Sequence, residues 1–165
     1  MLRVDHAGEY GAVAIYRGQE AVFRRAGRAA MADQLREMRE EEQKHLDAFD
    51  RLLPAHGVRP TLLGPLWNLA GYSLGVGTAL MGERAAHACT DAVETVIEEH
   101  YAAQARDAEA THPEVAETFR EFREDELHHR DIAVEGGARE APLYRTLSRI
   151  IRRGCHAAIA VSERV

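Results

Sequence analysis

Between residues 35 and 52, apolar positions recur at alternating steps of three and four. Leu35, Met38, Phe49 and Leu52 fall on one helical face, and Glu42 and His45 fall on that same face. A second stripe of this kind, Val115, Phe119, Phe122 and Ala133, contains Glu126 and His129. Two further stripes carry one acid each: Glu9 with Ala12, Tyr16 and Phe23, and Glu94 with Ile97, Tyr101 and Ala105. The periodicity predicts helices over Met1–Ala30, with Asp5 as a candidate N-cap, over Met31–Ala55, and over Glu83–Ala110. Another starts at Pro113 and runs to the Gly136–Gly137 pair. Residues 60–82 break the pattern, because that stretch contains no charged side chain. A last amphipathic helix is expected over 142–163, with Leu143, Leu147, Ile150 and Ile151 on one side and Arg145, Arg149, Arg152 and Arg153 around the rest.

A carboxylate and an imidazole aimed into an apolar core need a compensating partner, because burying them alone is costly. A metal ion is such a partner. One Glu-x-x-His pair carries little weight in so acidic a chain; Glu109-x-x-His112, which runs into Pro113, is read as an accident. The other two share the phase of an apolar stripe, and Glu9 lies 33 residues before Glu42 as Glu94 lies 32 before Glu126. The chain therefore reads as a duplicated helix pair. Its candidate ligands, Glu9, Glu42, His45, Glu94, Glu126 and His129, form the donor set of a ferritin-like di-iron carboxylate bundle. Asp125-x-x-His128 also fits a carboxylate-x-x-His template, but its stripe is mostly polar. Asp131 is a candidate hydrogen-bond partner for a metal-bound histidine. Tyr101, seven residues after Glu94, is expected to lie over that acid, with His100 beside it; both are candidate catalytic residues.

The uncharged 60–82 stretch is long enough to cross a bilayer. Pro65, Asn68, Ser73 and five glycines favour a helix lying in one leaflet, with a buried core helix as the competing reading and a true span the weakest. The basic final helix suits an anionic lipid surface, an acidic partner, or plain packing on the bundle. The rest of the composition mainly excludes. A length of 165 residues fits one domain, and a formal net charge of −6 leaves no basic footprint for nucleic acid. Cys89 and Cys155 are too few and too far apart to indicate a disulfide framework. No Gly-x-Gly-x-x-Gly fingerprint for a nicotinamide cofactor is present; the chain starts almost on its first motif, so either a bacterial protein on the cytosolic side or one whose N-terminal extension has been removed is expected. Four carboxylates with two imidazoles suit two iron or manganese ions better than zinc, and such a centre can leave positions open for O₂.

Five segments carry a resemblance: VDHAGEYGAVAIYRGQ, EEQKHL, RPTLLGPLWNLAGYSLGVGTALMG, ACTDAVETVIEEHY and FREDELHHRDIA, with IIRRGCHAAIAVSERV at the end. Together they resemble the demethoxyubiquinone hydroxylase (Coq7) family over essentially the whole chain. The HHR at His128–Arg130 departs from the usual pattern of an acid and two histidines. The resemblance implies an all-α, ferritin-like four-helix bundle in one domain, residues 1–165. It implies that the six residues hold two Fe ions, and that the domain hydroxylates 2-polyprenyl-3-methyl-6-methoxy-1,4-benzoquinol with O₂ and a reductant such as NADH or NADPH. Implied partners are the polyprenylated quinol, a membrane surface, and a Coq9-like lipid-binding protein or other ubiquinone-biosynthesis enzymes; a homo-oligomer is compatible. The implied location is peripheral, on the cytoplasmic face of a bacterial inner membrane or the matrix face of a mitochondrial one. Two rival classes use parts of the same pattern. A ferritin- or rubrerythrin-like protein would oxidise iron or reduce peroxide, and a non-catalytic membrane-surface scaffold would keep only the amphipathic helices.

Overall fold

A computed structural model describes residues 1–164. Six α-helices and one 3-10 turn make up the described chain: α1 Leu2–Arg25, α2 Ala29–Ala55, α3 Gly64–Leu80, α4 Glu83–Ala108, α5 Pro113–Glu135, the turn Ala138–Glu140, and α6 Tyr144–Ser162. The architecture is all-α and ferritin-like. Helices α1 and α2 form one antiparallel pair and α4 and α5 the other, as the duplicated stripes require. The helix ends mostly follow the punctuation in the sequence. Pro113 opens α5, where its missing N–H costs nothing.

Two details of α1 differ from expectation. It stops at Arg25 rather than Ala30, because Gly27 turns the chain through a left-handed conformation (φ 71°). Its N-cap is Met1 and Asp5 lies inside the helix, buried, because apolar Leu2 already anchors the first turn in the core. The capping role expected for Asp5 is therefore lost, and a buried acid is left to be explained.

The four long helices meet around two apolar clusters. At one end Phe49 and Leu53 of α2 pack with Tyr101, Val115 and Phe119. At the other, Tyr16 and Phe23 of α1 pack with Leu35, Met38 and Ala86. The six candidate ligands lie between these layers, which exclude water from both sides.

Helix α3 has 17 residues, shorter than the roughly 20 needed to span a bilayer. No helix among the described residues is long and apolar enough to cross a membrane. One face of α3 lies on α1 at backbone distance. A Cβ on Gly18 would stand 2.5 Å from the Tyr72 carbonyl oxygen, and one on Gly71 2.6 Å from that of Gly11. Gly75 sits hard against the Ile15 carbonyl. The outer face exposes Leu66 and Leu69, with Leu62, Leu80 and Met81 at the ends. Helix α6 packs on α4, where the Tyr144 hydroxyl donates to Asp91 Oδ2 at 2.5 Å; Leu143 and Ile150 remain exposed.

This contact makes a prediction about stability. Gly75→Ala has no room against α1 backbone and lowers unfolding free energy by about 1–3 kcal/mol. Gly77, with open space around it, gains about 0.4–1 kcal/mol on substitution by Ala. Urea unfolding of both variants checks the contrast, and equal effects at the two sites would contradict the close α1–α3 packing.

Candidate metal centre

Each inward acid or imidazole is placed by its helix stripe. Glu9 comes from α1, Glu42 and His45 from α2, Glu94 from α4, and Glu126 and His129 from α5. All six are at most 2% exposed. Their donor atoms form two overlapping groups, Glu9–Glu42–His45–Glu126 and Glu42–Glu94–Glu126–His129, with the atoms of each group within 4.8 Å of one another. Glu42 and Glu126 belong to both, so two adjacent ions would share them.

Whether the residues fit a metal pair can be judged from their hydrogen bonds. Both oxygens of Glu42 and of Glu126 have no hydrogen-bond partner, nor do Glu9 Oε2, Glu94 Oε2 and the Nδ1 atoms of His45 and His129. Eight orphaned polar atoms converging in a dry core are untenable for a protein that fills the space with nothing. As oxygen and imidazole donors facing one volume, they fit two divalent first-row ions.

The atoms facing away from that volume are all held. His45 Nε2 meets Asp125 Oδ2 at 3.0 Å, and His129 Nε2 meets Glu41 Oε2 at 2.8 Å. An N–H donated outward leaves each Nδ1 lone pair pointing in. The Tyr16 hydroxyl donates to Glu94 Oε1 at 2.5 Å, and the Tyr101 hydroxyl donates to Glu9 Oε1. The arrangement is two-fold: α1 and α4 run antiparallel, so Glu9 faces Tyr101 and Glu94 faces Tyr16.

Several sequence expectations change here. Tyr101 lies against Glu9 rather than Glu94, because the antiparallel neighbour, not the next turn of its own helix, supplies the partner. Asp131 is exposed and does not serve the histidines; Asp125 and Glu41 do, because they project across the α2–α5 seam. His128 is exposed, which disposes of the Asp125-x-x-His128 register. His100 is outside the cluster, with Nε2 2.7 Å from the Gln104 amide nitrogen and 3.2 Å from Asp5 Oδ1. Tyr16, Glu41 and Asp125 were missed. Their signal was the repeat itself: Tyr16 stands to Glu9 as Tyr101 to Glu94, and an acid directly precedes the Glu of each Glu-x-x-His.

The two-fold symmetry is broken by one cavity. It holds about 430 Å³ between α1, α3, α4 and α6, and its walls include Ala12, Ile15, Leu74, Val93 and Ile151. Tyr101, His100 and Asp5 line it as well, but Tyr16 does not. The cavity therefore approaches the cluster from the Tyr101 side, with Tyr101 standing between it and Glu9.

Comparison with known proteins agrees with this geometry. The family described as ubiquinone biosynthesis protein COQ7 matches residues 1–162. The chain belongs to the COQ7 family. Among its relatives, the 3-demethoxyubiquinol 3-hydroxylase of Rhodospirillum rubrum is 51% identical over 164 residues, covering 99% of this chain and 76% of that protein. The human mitochondrial NADPH-dependent 3-demethoxyubiquinone 3-hydroxylase is 45% identical, covering 100% and 76%. The mitochondrial 5-demethoxyubiquinone hydroxylase of Saccharomyces cerevisiae is 37% identical, covering 100% and 77%.

In this member of the family the cluster's electrostatics follow from its burial. Burial, then the Glu42 and Glu126 charges, pushes the Glu9 carboxyl well above the ordinary range; burial with Glu126 and Glu42 does the same to Glu94. Burial would raise Glu42 too, but His129 and His45 outweigh it and hold Glu42 below the usual value. Burial opposes charge on His45 and His129 as well, yet the adjoining Glu126 and Glu42 carboxylates raise both imidazoles to about 12. Without metal, then, protons supply the positive charge. Ligands must shed those protons to bind an ion, so affinity rises with pH and is lost as pH falls. Adding Fe²⁺ to metal-free protein in weak buffer without oxygen should release on the order of one proton per ion bound. Binding with no acidification would contradict this charge balance.

Proposed function

We propose that the protein is a di-iron monooxygenase that hydroxylates the ring of a demethoxyubiquinol, 2-polyprenyl-3-methyl-6-methoxy-1,4-benzoquinol. Glu9, Glu42, His45, Glu94, Glu126 and His129 hold two Fe ions; O₂ and NADH or NADPH are co-substrates. The observation that carries this reading is adjacency: an apolar cavity is bounded by Tyr101, whose hydroxyl donates to Glu9 of the buried six-ligand cluster. The printed names of the relatives supply the substrate class. An iron pair held this way supplies O₂ activation for hydroxylating a ring C–H bond, with the second oxygen atom leaving as water.

The chain's own residues prepare that chemistry. Glu42 and Glu126 hold the shared positions, and Asp125 and Glu41 fix the histidine rings. Tyr101 and Tyr16 restrain the Glu9 and Glu94 carboxylates by donating to one oxygen of each and leaving the other free. The apolar layers above and below keep water from the reacting face. The cavity walls from α3 and α6 accept the start of the isoprenoid tail.

The same two helices support the reading of a single-domain hydroxylase bound peripherally to a membrane. Leu66 and Leu69 of α3 and Leu143 and Ile150 of α6 are exposed beside the basic Arg145, Arg149 and Arg153. The membrane is the one that holds the quinol, the inner membrane of a bacterium or of a mitochondrion. A ferritin- or rubrerythrin-like oxidase has no use for an apolar cavity at its metals, and a scaffold has no use for the buried ligands.

Product analysis tests the proposal. Iron-loaded protein given a short-tailed demethoxyubiquinol, reductant and O₂ should form a quinol heavier by one oxygen atom. Glu126→Gln, which removes a ligand common to both groups, should reduce that rate by roughly a hundredfold or more while leaving vesicle binding intact. Consumption of peroxide or oxidation of free iron with the quinol unchanged would refute the hydroxylase reading.

A further inference from the structure

The apolar cavity has one polar corner, and its polar atoms are incompletely satisfied. Asp5 is 3% exposed on the cavity wall. Its Oδ1 takes a hydrogen bond from the Gln104 amide at 2.8 Å and lies 3.2 Å from His100 Nε2. Its Oδ2 has no partner at all. Gln104 Nε2 also lies 2.7 Å from His100 Nε2, so one amide nitrogen holds the acid and the imidazole together. The three side chains form a fixed unit with a single free carboxylate oxygen. Across the cavity wall, the Trp67 indole N–H is likewise buried and unpartnered.

A buried acceptor with an open lone pair needs a donor, and leaving it unmet is costly. Nothing in the fold meets that need: Asp5 is no helix cap, and its helix starts from Met1. What enters the cavity can meet it, and the redox state of the ring decides how well. A benzoquinol carries two O–H donors. The corresponding benzoquinone carries carbonyl oxygens only, which accept and would face the carboxylate oxygen with repulsion. A cavity lined by carbon cannot distinguish the two rings, whereas this corner can.

Resting on the hydroxylase reading above, we propose that Asp5, held by Gln104 and His100, receives a ring hydroxyl of the substrate and makes the site select the quinol over the quinone. His100 is then a positioning residue that acts through Asp5. The Trp67 N–H suits an ether or hydroxyl oxygen of the same ring.

Trp67 is the single tryptophan of the chain and lies on the cavity wall, so its fluorescence reports occupancy directly. A short-tailed demethoxyubiquinol is titrated into reduced, oxygen-free holoenzyme, and the matching quinone into oxidised holoenzyme, so that neither pair exchanges electrons. Asp5→Asn keeps shape but replaces the carboxylate with a weaker, neutral acceptor; it should weaken quinol binding about tenfold and leave quinone binding within about twofold. His100→Asn, at a partly exposed position, leaves the core intact and should shift the same selectivity ratio by a smaller factor in the same direction. Equal effects on both ring states, or none in either variant, overturn the inference. If wild-type protein neither binds nor hydroxylates the quinol, the hydroxylase reading falls and the inference with it. Hydroxylation with selectivity unmoved by either substitution overturns the inference alone.

Discussion

Four carboxylates and two imidazoles in a dry helical core repel, desolvate and compete with one another, and every other feature of this bundle is arranged around that problem. The apolar layers formed by Phe49, Phe119 and Tyr101 on one side and Tyr16, Phe23 and Leu35 on the other deny the cluster water. Denied water, the inward atoms must find either protons or cations. The imidazoles raised to about 12 show the proton solution, and the eight unpartnered donor atoms show that it is incomplete. Two shared divalent ions would answer both needs, because they would neutralise the acids and occupy the open lone pairs together.

Duplication explains how one short chain reaches this arrangement. Each helix pair brings one Glu and one Glu-x-x-His, and antiparallel association turns each copy's tyrosine and outer acid toward the other copy's ligands. Neither half is complete alone: Glu41 serves His129, and Asp125 serves His45. Function needs the symmetry broken, and α3 and α6 break it. They pack beside α1 and α4 on one side only, so that Tyr101 lines the cavity and Tyr16 does not.

Much of this was legible in the sequence because helical period marks direction. A Glu or His in phase with Leu35, Met38 and Phe49 must point inward, so the six cluster residues and the all-α bundle could be read before any coordinates. What period does not encode is the neighbour across a helix seam. Tyr101 was placed over Glu94 by counting turns along one helix, but the register of α1 against α4 gives it to Glu9. Asp125 and Glu41 sit off the apolar stripe and remain partly in solvent; only the helix across the α2–α5 seam brings each of them a histidine partner. The uncharged 60–82 stretch announced an unusual helix. Its close approach to α1 through Gly18, Gly71 and Gly75, and so the cavity's position, depended on backbone contacts that composition does not specify. Asp5 was legible only as a cap, because an acid early in a helix is ordinarily one.

The most direct test of this account is anomalous X-ray scattering at the iron edge from crystals of protein loaded with Fe²⁺ without oxygen. Two iron peaks inside the bundle, each beside Glu42 and Glu126, with Glu9 and His45 on one and Glu94 and His129 on the other, are the predicted result. A single ion, or iron found only outside this cluster in well-ordered protein, would contradict it.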